Sequence, residues 1–122
     1  MGTGRLALSL ALGCVLLAGC EVPTCDREPP VTWENWGEAY VATFCVGCHS
    51  ALLEGDERRG ATIGVDLNNY GDIMRHVDRI EARATGPEPT MPPSGGPSQE
   101  QVALLEEWLH CTVRPDAEEL GL

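Results

Sequence analysis

The chain has 122 residues, with 19 acidic and 8 basic side chains and a formal net charge of −11; every basic residue is arginine and there is no lysine. That length holds one small domain with a modest core. The charge excludes nucleic acid as an expected partner, and the acidity reads first as a solubility feature.

The chain begins with an export signal. Arg5 supplies a short positive region, and Leu6 to Ala18 is an apolar run too short to span a bilayer but of the right length for the core of a signal peptide. Leu17-Ala18-Gly19-Cys20 follows and resembles the lipobox of bacterial lipoproteins. The resemblance implies that residues 1–19 are removed and that Cys20 carries lipid, tethering the protein to a membrane and facing the periplasm. Glu21, in place of the aspartate that marks inner-membrane retention in enteric bacteria, favours the outer membrane. An ordinary secretory signal with a coincidental cysteine is the alternative, and it also exports the chain. Residues 20–31, with Pro23, Pro29 and Pro30, read as anchor and stiff extended linker.

A domain is expected over residues 32–113. Thr32 is a helix N-cap, and Trp33, Trp36, Tyr40 and Phe44 recur at the spacing of one helical face while Glu34, Asn35 and Glu38 lie away from it. This helix runs into Cys45-Val46-Gly47-Cys48-His49, the C-x-x-C-H pattern of covalent c-type haem attachment. Two thiols separated by two residues reach one edge of the porphyrin as thioethers, and the adjacent histidine falls beneath the iron. The alternatives are a redox dithiol, which calls for a βαβ pattern, and half of a zinc site, which calls for a second cysteine pair. The sequence contains neither.

Residues 51–64 are polar and punctuated by glycine, the composition of a surface loop. A second helix is expected over residues 69–84, with Tyr70, Ile73, Val77, Ile80 and Ala84 within about 80° of arc as a buried stripe. Arg75, Arg79 and Arg83 form a row away from it that reads as a solvated face. Residues 86–97 are rich in proline and glycine and form a stiff loop. Ser98 and Gln101 make a capping box for a last helix, with Val102, Leu105, Trp108 and Leu109 on one face. Residues 114–122 read as an acidic tail that frays. No segment reads as a strand.

Iron held by one histidine has a second axial position. Met91, in Thr90-Met91-Pro92-Pro93, is the leading candidate, because a methionine in so polar and stiff a loop has little packing reason to be there. His76 is its rival. Met74 reads as boundary packing on its helix, and His110 falls on a polar face. Once Cys20 takes lipid and Cys45 and Cys48 take haem, Cys25 and Cys111 are the cysteines left over in the exported chain, which suggests one disulfide between them.

With these residues in place, residues 32–112 resemble the small class I cytochromes c, in which a first helix ends in C-x-x-C-H, a methionine ligand follows in a later loop and a closing helix carries an aromatic residue. Here Met91 lies 42 residues after His49. The resemblance implies an all-α cytochrome c-like fold of three main helices around one covalent haem, with the Trp36/Tyr40/Phe44 face crossing the Leu105/Trp108/Leu109 face. One departure is that no proline follows the motif closely; Ser50-Ala51-Leu52-Leu53 stands there, and the hydrogen-bond partner of His49 is left open.

The function implied is electron transfer without catalysis, by a membrane-anchored carrier with His49 and Met91 on the iron and an unidentified redox protein as partner. The alternatives are a haem sensor or small-ligand enzyme with a labile distal ligand, and a haem-free lipoprotein stapled by disulfides.

Overall fold

The computed structural model describes residues 21–122; the signal segment and the lipidation site expected at Cys20 lie outside the described residues. All regular structure among the described residues is helical. No helix among them is long and apolar enough to cross a membrane.

Helix α1 opens with a wide π-type turn, Trp33–Gly37, and continues as α-helix over Glu38–Phe44. Its start follows from the sequence. Thr32 Oγ1 accepts the Asn35 N–H at 3.2 Å, and Asn35 Oδ1 accepts the Thr32 N–H at 2.8 Å, so two otherwise orphaned donors are satisfied reciprocally. Helix α4, Gln99–Trp108, begins in the same way through Ser98 and Gln101. It passes without interruption into a π-type stretch, Leu109–Val113, and then into α5, Arg114–Glu119.

The helix expected over residues 69–84 is two helices, α2 over Tyr70–Arg75 and α3 over Val77–Ala84. The break is at His76, whose φ of −111° and ψ of 12° leave the helical region. Its N–H is shared between the carbonyls of Asp72 at 3.1 Å and Ile73 at 3.2 Å, a tightened turn that needs neither proline nor glycine. The apolar stripe survives the break, with Ile73 and Val77 buried and Tyr70, Ile80 and Ala84 packed against the core.

The tail also differs from the expectation of fraying. Ala117 is buried, Asp116 accepts the Tyr70 hydroxyl at 2.7 Å, and Arg114 reaches Asp78 at 2.7 Å and also Glu81 on α3. Pro115, which has no N–H to donate, stands just after the wide π-type turns of Leu109–Val113. At the other end, residues 25–31 are bound to the domain and do not act as a free tether. Cys25 is bonded to Cys111 across 86 positions, Val31 is buried, and its carbonyl accepts the Thr112 hydroxyl at 2.7 Å. Closing so long a loop removes unfolded-chain entropy worth about 4.5 kcal/mol in the chain-entropy account.

The core centres on Trp108, which is 1% exposed. Trp36 meets it edge-on with ring centres 6.0 Å apart, and Trp33 and Tyr70 each lie 6.3 Å away. The close approach of α1 to α4 depends on Gly37, because a Cβ placed there would stand 2.4 Å from Trp108 Cζ2. The neighbour is the ring of a fully buried residue, close-packed by Trp33, Trp36 and Tyr70. Gly37→Ala is therefore expected to destabilise the protein by about 1–3 kcal/mol through overpacking, read as a lower midpoint in denaturant unfolding followed by circular dichroism. An unchanged midpoint would show that the two helices do not meet so closely.

Candidate haem cleft

A cleft of about 220 Å³ lies between α1, the loop after it, α2, α3 and α4. Its walls are mostly apolar and come from every one of these elements: Tyr40, Val41 and Phe44 from α1, Val65 and Leu67 from the loop, Ile73 and Ile80 from α2 and α3, and Leu105 and Trp108 from α4. Cys45, Cys48 and His49 face the same cleft, and so do Met91 and His76. Met74 and His110 do not line it. The residues the sequence singled out are thus gathered at one site, and the two rivals for a second axial position both remain on it.

His49 is held from two sides. Its Nδ1 lies 2.9 Å from the Val65 carbonyl oxygen, and its own carbonyl accepts the Leu67 N–H at 2.9 Å. A carbonyl only accepts, so Nδ1 carries the proton, and in the neutral ring Nε2 is then the nitrogen with the free lone pair. This supplies the hydrogen-bond partner that the absent proline left open. Met91 is fixed through its backbone: the N–H groups of Thr90 and Met91 both donate to the Arg83 carbonyl at 2.8 Å, which ties the proline-rich loop to the end of α3.

The Cys45 thiol is not activated for redox exchange. Cys45 and Cys48 are free, while Cys25 and Cys111 form the disulfide left over by the cysteine count. Burial pushes the Cys45 thiol up to about 12, so it is uncharged at neutral pH, the opposite of an activated dithiol whose pKa is depressed. Burial, with a contribution from Cys45, also pushes Tyr40 up to about 12.

The polar edge of the cleft goes beyond the sequence reading. Arg79 and Arg83 are exposed, as a solvated face requires, and what the sequence did not show is that they also border the cleft together with exposed Arg59. Among the described residues Arg27, Arg58, Arg75 and Arg114 are paired with carboxylates, whereas Arg59, Arg79 and Arg83 are not. In a chain of net charge −11, three uncompensated guanidinium groups at one cleft favour a ligand that carries anionic groups. Tyr40 Oη and Trp108 Nε1 are buried without a protein partner, and both residues also border the cleft. Sequence reasoning missed this basic edge because residues 79 and 83 were judged by helix face alone, and it missed Arg58, which is buried inside a segment that reads as solvent-facing loop.

These features fit haem c. Apolar walls suit a porphyrin, the two thiols and the histidine suit its attachment and ligation, and the arginines suit its two carboxylates. The hydrogen bond is directly testable: in the reduced, haem-loaded protein His49 Nδ1–H should give a slowly exchanging proton resonance, and its absence would contradict the bond to the Val65 carbonyl. No protein-family model matches the chain, and no curated protein or solved structure was found to match it.

Proposed function

We propose that the protein is an exported, lipid-anchored monohaem c-type cytochrome that carries electrons, with its helices arranged around the haem in a cytochrome c-like manner. The observation that carries this reading is the convergence of Cys45, Cys48, His49 and Met91 on one apolar cleft. Haem c supplies a one-electron couple when it is bound. The chain supplies everything else. Cys45 and Cys48 attach the group, His49 offers Nε2 from a ring held by Val65, and Met91 offers a thioether from a loop tied to Arg83.

A thioether and an imidazole together favour the reduced state more than two imidazoles do. Apolar walls limit water around the metal and keep the ligand set fixed through the redox cycle. Electron transfer asks no proton shuttle or nucleophile of the protein, and the acidic surface with lipid on Cys20 suits a carrier held at a membrane beside a larger redox partner.

His76 is a second reading for the distal ligand, favoured by its own position on the cleft. Substitution separates the two. Met91→Ala should retain covalent haem, lose the weak methionine-to-iron band of the oxidised protein, lower the reduction potential and bind carbon monoxide readily when reduced. His76→Ala should leave all four properties unchanged. Wild-type protein without that band, with carbon monoxide bound readily by the His76→Ala variant and not by Met91→Ala, would assign the distal position to His76. Cys48→Ala is expected to abolish accumulation of mature protein, read as loss of haem-stained band in a host with haem-attachment machinery; a folded haem-free variant would contradict the dependence of the core on haem.

A further inference from the structure

Arg58 is the one buried charged side chain among the described residues, at 5% exposure. It lies at the end of a short 3₁₀ turn, Gly55–Arg58, in the loop between the attachment motif and α2. Its guanidinium is saturated with acceptors from both arms of that loop. Nη1 donates to the Ser50 carbonyl at 2.6 Å and to Asp66 Oδ1 at 2.8 Å, Nη2 to the carbonyls of Thr62 at 2.9 Å and Val65 at 3.4 Å, and Nε to the Ala61 carbonyl at 3.3 Å. Ser50 follows His49 in the chain, and Val65 bears the carbonyl that accepts from His49 Nδ1. One side chain therefore holds both the backbone next to the histidine and the oxygen that orients its ring.

We propose that Arg58 is a positioning residue for His49 that raises the reduction potential of the haem, an inference that rests on the haem reading above. The Val65 oxygen has two lone pairs, one facing the imidazole and the other facing a fixed cation. A carbonyl polarised by a guanidinium is a weaker acceptor toward Nδ1–H, so the imidazole gains less anionic character and donates less charge to the iron. The buried positive charge also disfavours the additional charge of the ferric state. Asp66 offsets part of this second effect, at a side-chain separation of 2.8 Å from Arg58. Removing the arginine acts in one direction through both routes: a stronger Val65 hydrogen bond, and the loss of one positive charge that leaves Asp66 uncompensated, each stabilise ferric iron.

The test is potentiometric titration of full-length holoprotein, wild type against Arg58→Met, Arg58→Lys and Asp66→Asn, after mass measurement has established covalent haem in each. Arg58→Met is expected to lower the ratio of ferrous to ferric protein at a fixed ambient potential about tenfold, ~59 mV for a one-electron couple. Arg58→Lys should recover most of that shift, because the charge remains although the fork is lost. Asp66→Asn should shift the ratio in the opposite direction while keeping an oxygen for Arg58. If Arg58→Met fails to accumulate, Asp66→Asn decides: a raised potential supports the assignment and an unmoved one overturns it. Variants that are less stable yet share the wild-type potential would make Arg58 a loop staple alone. Wild-type protein without haem would overturn the haem reading, and this inference with it.

Discussion

The two-way clip between His49 and residues 65–67 is the constraint on which the site depends. The ring is fixed by the Val65 carbonyl and the backbone by the Leu67 N–H, each at 2.9 Å. Because the clip joins the end of the attachment motif to the approach to α2, the loop between them folds back beside the cleft. Asn68 extends the clip by bonding the Ala51 N–H and the Ser50 hydroxyl, both at 2.8 Å. Residues 50–68 thus form a tied structure in which an exposed face, with Leu52 and Ile63 in solvent, hides a buried arginine.

Around that clip, the helices are arranged to surround a centre that they do not fill with one another. Trp108 joins α4 to α1 and α2 through aromatic contacts, and the disulfide and the Arg114 ion pairs tie the ends of the chain to the same body. A domain of this size has little apolar surface to spare. Several of its best apolar side chains nonetheless face the cleft, which is economical if a large apolar group belongs there. The charge distribution shows a similar division. Arginines elsewhere in the described structure are paired with carboxylates, whereas Arg59, Arg79 and Arg83 at the edge of the cleft are exposed and make no such pair.

Much of this was legible in the chain because the signals are local. Thr32 and Ser98 cap their helices through side chains three residues away, and the apolar periodicity of residues 70–84 reports which face is buried. The C-x-x-C-H string carries its spacing within five residues, and the cysteine left over at each end of the domain pointed to its partner. What was not legible depends on contacts distant in sequence. Gly37 looks like a weak point in a helix until Trp108 is placed against it. The tail is acidic, yet it is ordered by Arg114 and Tyr70. The break at His76 is made by a shared hydrogen bond that no proline or glycine announces. Arg58 sits among Glu54, Asp56 and Glu57 in a segment of exposed composition, and its burial follows from carbonyls that only the folded loop brings together.

The most direct measurement of the central claim is the mass of the denatured, purified protein made in a host that attaches haem to exported chains, recorded with the reduced and oxidised absorption spectra. The account predicts one haem surviving denaturation on the fragment containing Cys45 and Cys48, with sharp reduced bands and the weak methionine-to-iron band on oxidation. A colourless protein of unmodified mass at those cysteines would contradict it and leave a helical domain held by its Cys25–Cys111 disulfide.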